Sequence, residues 1–238
     1  MQSMCTSIYW LLVFFLCKST GLAAEVNPHS HCPLDPRAHG IYTIIMPSMG
    51  SFQVFCDAKI AGPGWTVIAR RTNGELNFFR SWEESKRGFG DLDGNFFIGL
   101  DKLHAITKSE THELYVHLED FEGNTRYAKY DEFLIESEKE SYKMSKLGAF
   151  TGDAGDSMFK CRNQKFTTYD RDNDQWREGN CAHDRMSPWW HLNCGESSLF
   201  GMYMKGATEP GMLWKGVRWS AFHGDYSHKV MQMMVRHK

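Results

Sequence analysis

Phe166-Thr167-Thr168-Tyr169-Asp170-Arg171-Asp172-Asn173-Asp174-Gln175-Trp176-Arg177-Glu178-Gly179-Asn180-Cys181, followed by Trp189-Trp190-His191-Leu192-Asn193-Cys194, sets three alternating carboxylates beside a pair of cysteines. Asp170, Asp172 and Asp174 offer hard oxygen ligands, and a sharp turn through Gly179 would bring main-chain carbonyls onto the same ion, a donor set that suits calcium. An EF-hand is excluded, because Gln175 stands where its turn needs glycine and Cys181 where a bidentate glutamate belongs. Two other readings stand beside the calcium loop. One is a solvated acidic turn, since Asp and Asn bond their own backbone. The other is zinc held by Cys181, His183, His191 and Cys194, against which stands the tendency of paired cysteines in secreted chains to form disulfides.

Compartment therefore matters, and the first residues bear on it. Residues 8–17 are almost wholly apolar, then Lys18-Ser19-Thr20-Gly21 breaks the run and Ala23 and Ala24 follow, the layout of a signal peptide over residues 1–24. The run is short for a bilayer, and the lack of Lys or Arg before it leaves an uncleaved anchor as the alternative. No later stretch approaches membrane-spanning length. With 27 basic and 29 acidic residues, net charge −2 and no basic block, nucleic acid and anionic membranes are poor partners. No Asn-x-Ser/Thr site is present. Beyond residue 24 five cysteines remain, and sequential pairing of Cys32 with Cys56 and Cys181 with Cys194 leaves Cys161 either buried or as a handle for an intermolecular bridge.

After a short polar lead over 25–31, His29, His31 and His39 are spaced too loosely to specify a metal site. Ile41, Ile44, Phe52, Val54 and Cys56 read as strands about a Pro47-Ser48-Met49-Gly50 turn. Trp65-Thr66-Val67-Ile68-Ala69-Arg70 reads as a strand with alternating faces, and Asn73-Gly74 as a tight hairpin turn. Ser81 with Glu84 forms a capping box for a helix that Gly88 closes, and Leu100, Leu103 and Ile106 fall at helical spacing. Leu114, Val116 and Leu118 alternate along a strand, Glu122-Gly123-Asn124 turns it, and runs at 127–130, 133–136 and 142–147 continue a sheet. Strands with few helices make this α+β. Gly155-Asp156-Ser157 is set aside as a protease nucleophile, because Met158 and Phe159 follow it and no His-Asp pair is legible upstream.

Gly64-Trp65-Thr66-Val67-Ile68, Phe89-Gly90-Asp91-Leu92-Asp93-Gly94-Asn95-Phe96-Phe97-Ile98-Gly99-Leu100, Ala154-Gly155-Asp156-Ser157, Asp170-Arg171-Asp172-Asn173-Asp174, Asn180-Cys181-Ala182 and Trp189-Trp190 together resemble the fibrinogen C-terminal domain of fibrinogens, ficolins, tachylectins, tenascins and angiopoietins. The likeness runs from about Cys32 to Arg236. It implies one domain over 32–238: a small N-terminal subdomain (about 32–75), a central antiparallel sheet with short helices (76–150), and a loop-rich calcium subdomain (151–228). A final strand near 229–236 returns to the central sheet. It also implies the Cys32–Cys56 and Cys181–Cys194 disulfides. Its calcium ligands fall on the carboxylates of Asp172 and Asp174 and the carbonyls of Trp176 and of Gly179 or Glu178, with Asp170 supporting the loop.

In lectin members resembling ficolins and tachylectins, an acetyl group sits beside a cis peptide before the second loop cysteine, here Asn193-Cys194, with a histidine after it that is Gly195 in this chain. Pocket tyrosines of that group fall on Arg185, Leu213 and Asp225, with Trp214 beside Leu213. Either the pocket is re-lined, with Trp214 and Trp190 as stacking platforms and Arg185 and Asp225 as polar contacts, or the face binds a protein. Cys194-Gly195 also resembles the angiopoietin branch. The resemblance implies a secreted, calcium-binding, non-enzymatic recognition protein of innate defence that binds glycans or acetylated groups; the alternative is an extracellular ligand for a protein receptor. No collagen-like or coiled-coil stem is read in these residues, so avid binding by a lectin would need clustering; self-association into a homo-oligomer is expected, with Cys161, which reads more readily as buried, as one route to a bridge.

Overall fold

A computed structural model describes residues 29–238; the expected signal peptide over 1–24 lies outside the described residues. Gly40–Met46 (β1) and Gly50–Asp57 (β2) form the hairpin anticipated at Pro47-Ser48-Met49, with Met46 opposite Gly50. Ile44, Met46 and Val54 face inward, and Cys56 is bonded to Cys32, which ties the preceding segment to the sheet. In Trp65–Arg71 (β3) the expected alternation is absent: Thr66, Val67, Ile68 and Ala69 are all buried, as in a strand covered on both faces. The Asn73-Gly74 hairpin does not form either. The Asn73 side chain instead bonds Glu75 and Asn95 and holds an irregular loop.

Trp82–Arg87 (α1) is capped as its sequence predicts. Ser81 Oγ accepts from Glu84 N at 3.3 Å, and Glu84 Oε2 accepts from Ser81 N at 3.0 Å. Gly88 ends the helix at φ 89°, where a Cβ would also lie 2.5 Å from the Ile98 carbonyl oxygen. Phe89–Gly90 (β4) and Phe96–Phe97 (β5) lead into Leu100–Ser109 (α2), which buries Leu100, Leu103 and Ile106 at the expected spacing.

His112–Glu119 (β6) and Thr125–Ile135 (β7) pair across a turn built on buried Asp120, whose carboxylate accepts from Glu122 N at 3.0 Å and Asn124 N at 2.8 Å. The runs read as separate strands at 127–130 and 133–136 are one strand, β7, which continues past a register shift between Leu134 and Ile135 opposite Met144–Leu147 (β8). β8 starts at Met144 and not Tyr142, because Ser141 and Tyr142 hold left-handed φ values of 52° and 47°. Phe150–Gly152 (β9) pairs with β7.

The remaining elements are short: Cys181–Asp184 (α3), Ser197–Ser198 (β10), Gly206–Ala207 (β11), Arg218–Trp219 (β12), Ser220–His223 (α4) and Tyr226–Ser227 (β13). Val230–His237 (β14) then inserts between β3 and β6, giving the order β1-β2-β3-β14-β6-β7-β8 in the main sheet. A smaller sheet runs β10-β12-β13-β11. The architecture is α+β. After β9, where regular elements are few and short, the chain packs about an aromatic core of Phe166, Trp189, Trp190, Phe200 and Trp219. Cys161 lies in that core with its thiol 3.7 Å from Ser197 Oγ and pushed up to about 12 by burial. A thiol so enclosed fits the buried reading of Cys161 and gives no handle for a bridge to a second chain. No helix among the described residues is long and apolar enough to cross a membrane.

Candidate functional site

The acidic loop is anchored from all sides before any ion is considered. Asp170 Oδ1 accepts from Trp82 N at 2.9 Å and from Thr168 Oγ1 at 2.7 Å, so this carboxylate fastens the loop to the start of α1. Asn173 Nδ2 donates to the Phe166 carbonyl at 2.8 Å, and Gln175 N to the Leu192 carbonyl at 2.7 Å. Gly179 packs so closely on the Trp176 indole that a Cβ would lie 2.8 Å from the ring. Asn180 caps α3 by accepting from His183 N at 3.0 Å.

Within this frame Asp174 Oδ1 accepts from Trp176 N and Oδ2 from Cys181 N, both at 2.8 Å, and Asp172 Oδ1 accepts from Asp174 N at 3.2 Å. Burial and the neighbouring Asp172 carboxylate push the Asp174 carboxyl up to about 6. Two carboxylates crowded in this way could offer oxygen ligands to a hard divalent ion. The zinc alternative fails here. Cys181 and Cys194 are bonded to each other, and buried His191 places Nε2 2.9 Å from the Ser187 carbonyl, to which it donates.

The expected ligand residues divide into three places. Trp190 is buried, donates Nε1–H to the Tyr142 carbonyl at 2.8 Å and packs on Phe166 and Trp189, so it is core and not a stacking platform. Asn193 is exposed on the cation-loop side, beside Gln175, Trp176, Arg177 and Glu178. The Asn193–Cys194 peptide is trans; the turn is made instead by left-handed φ values of 58° at Cys194 and 55° at Gly195.

Arg185, Gly195, Trp214 and Asp225 do gather, about a residue that sequence reasoning missed, Arg218. The Arg218 guanidinium lies 4.2 Å from the Trp214 ring centre, and Arg185 stands 5.5 Å from the same ring. Arg218 Nη1 donates to the Gly195 carbonyl at 3.1 Å and its Nη2 to Glu196 Oε2 at 3.5 Å, while the buried Arg185 Nε stands 3.5 Å from Asp184 Oδ2. Burial holds both guanidinium groups below their usual range. Asp225 is a positioning residue: Oδ1 accepts from Trp214 N and Oδ2 from Thr208 Oγ1, both at 2.7 Å. It fixes Trp214 at φ 68° with 39% of the residue exposed, next to Leu213 at 41%. Arg218 gave no signal in sequence because it sits inside the apolar run Val217-Arg218-Trp219.

The model for fibrinogen beta and gamma chains, C-terminal globular domain, matches residues 30–238. The chain belongs to this family. Mouse fibrinogen C domain-containing protein 1 is 41% identical over 204 residues, 83% of this chain and 44% of the relative, so this fibrinogen-related chain spans less than half the length of that protein. The fibrinogen-like globe domain of human ANGPTL2 superposes with TM-score 0.80 at 40% identity, covering 84% of this chain and 92% of the globe. Lamprey fibrin D-dimer, complexed with the peptide ligand Gly-His-Arg-Pro-amide, gives 0.77 at 30% identity over 83% and 69% of the two chains.

Proposed function

We propose that this fibrinogen-related chain is a secreted, calcium-ordered recognition module, lectin-like in action, whose ligands are extracellular glycans bearing acidic or acetylated groups. The observation that carries this is the exposed Trp214 indole with the Arg185 and Arg218 guanidinium groups set against it. An indole face stacks on a sugar ring, and the partly exposed Arg185 guanidinium suits a carboxylate or sulfate as it does a carbonyl, with buried Arg218 holding the indole from behind. Calcium held by Asp172, Asp174 and the carbonyls of Trp176 and Gly179 would order the loop behind that face. A second reading, docking to a protein receptor, is favoured by the likeness to the ANGPTL2 globe and by Gly195 in place of a pocket histidine.

Binding of the clustered, purified chain to arrays of N-acetylated, carboxylated and sulfated glycans, with calcium and with chelator, separates the two. The lectin reading expects chelator-sensitive binding that free sugar competes and that Trp214→Ala abolishes without lowering the melting temperature. Saturable binding to cells that no sugar competes, with silent arrays, would replace it by the receptor reading.

A further inference from the structure

The fold brings together histidines whose sequence spacing specifies nothing. His31 lies between two anchors: the His29 carbonyl accepts from Ile45 N at 3.0 Å, and Cys32 is bonded to Cys56. Its imidazole stacks on that of His237, with ring centres 4.9 Å apart and planes 10° apart. His237 ends β14 opposite His112, and its Nε2 stands 2.8 Å from Oε2 of Glu110, the residue that closes α2. One potential ligand atom from each of His31, Glu110 and His237 lies within 4.8 Å of the others.

We propose that His31, Glu110 and His237 form a zinc site that clips the segment before Cys32 to the end of β14. Two imidazoles and a carboxylate are a set that zinc accepts, with the fourth tetrahedral position left to water. At Zn–N and Zn–O bond lengths of about 2.0–2.2 Å the ligand atoms stand roughly 3.5 Å apart, so the side chains close by about 1 Å. Glu110 and His237 have that freedom, with side chains 44% and 37% exposed. The surroundings already orient the ligands. Ser30 Oγ is 2.8 Å from His31 Nδ1, which leaves Nε2 for the metal, and His112 donates Nδ1–H to the Glu110 carbonyl at 2.9 Å, bracing the end of α2 against β6. Nitrogen ligands set this site apart from the all-oxygen loop at Asp172 and Asp174, so it stands whether or not that loop holds calcium.

Titration calorimetry of Zn2+ into the full chain, at about pH 7.4 with calcium held constant, tests this. One zinc per chain is expected. His31→Gln or His237→Gln should weaken it by about 100-fold, a loss comparable to removing any zinc-supporting group, while His29→Gln and His183→Gln leave it unchanged. Co2+ in place of zinc should give the visible absorption of a tetrahedral site in the wild-type chain. Zinc should also shield His31 and His237 from diethylpyrocarbonate, a readout that needs no variant to fold. Zinc binding that survives the combined replacement of all three ligands, or that falls equally with His29 or His183, overturns the site, as does the absence of stoichiometric binding.

Discussion

At the scale of single residues, burial lowers the pKa of His112, His117, His191 and His228 and so shapes the response to acid, the last two most strongly. His228 is fully buried against Phe222 and Tyr226 with neither ring nitrogen hydrogen-bonded, and burial, with His223 beside it, holds its pKa down to about 4. His191 is likewise held to about 4 by burial, with Arg185 and Arg218 nearby. Unfolded imidazoles take up a proton near 6.5 while these two do not until about 4, so the unfolded chain binds more protons across that window and stability falls as pH falls. The cost reaches about 3 kcal/mol per histidine at the acid end. Asp174 acts with the opposite sign in metal-free protein, since a carboxyl raised to about 6 takes up its proton first in the folded state. Urea midpoints at about pH 7.5 and 5 should therefore drop for the wild-type chain in calcium, and His228→Phe, which fills the same aromatic surroundings, should remove about 2 kcal/mol of the loss. An unchanged slope in that variant would contradict the assignment. None of this was legible in sequence, because a histidine's burial is decided by residues far along the chain.

At the scale of elements, what was legible was local. Ser81, Glu84 and Gly88 announce α1 because capping is written within one turn, and Leu114, Val116 and Leu118 announce β6 because its alternation is. What failed depended on neighbours. β3 lost its alternation because it is an inner strand, paired with β2, β5 and β14 and buried on both faces, β7 absorbed two expected strands because it runs on past β6 to pair with β8 and β9, and Asn73-Gly74 was diverted by Asn95. The site shows the same division: the alternating carboxylates marked the acidic loop and the resemblance pointed to Trp214, but Trp190 turned inward and Arg218, hidden in an apolar run, packs on the Trp214 ring. The link from Asp170 to Trp82 N makes the coupling of α1 to the cation loop testable. Ser81→Ala should cost about 1 kcal/mol with calcium affinity unchanged. Asp170→Ala should cost about 1–2 kcal/mol and also weaken calcium binding, because it strands the Trp82 amide and frees the loop. Equal calcium affinities in the two variants, measured by titration, would separate helix and loop.

For the whole molecule, the two halves are stabilised by different means. The sheet is closed by its last strand: β14 lies between β3 and β6, and Glu113, at the edge of that pairing, is bonded to both Arg236 and Lys129 at 2.6 Å. The segment from Phe166 to Cys194 has little backbone ladder of its own and relies on the aromatic core, the Cys181–Cys194 bond and, in our reading, calcium. A crosslink between residues 13 apart restricts the unfolded chain by about 3 kcal/mol in the chain-entropy picture, and an ion that binds only the folded loop adds its own binding energy. Removing either should thus act locally before it acts globally. In hydrogen exchange, chelation or the paired Cys181→Ala and Cys194→Ala replacement should speed exchange at Gln175, Trp176 and Cys181, whose amides are held within the loop. Val116 and Met233, in the middle of the sheet, should keep their protection. The melting temperature should fall in both cases, and the two effects should be less than additive, because each orders the same residues. If loop and sheet amides instead lose protection together, the loop is part of one cooperative unit with the sheet, and calcium would act as a fold-wide staple and not as a local one.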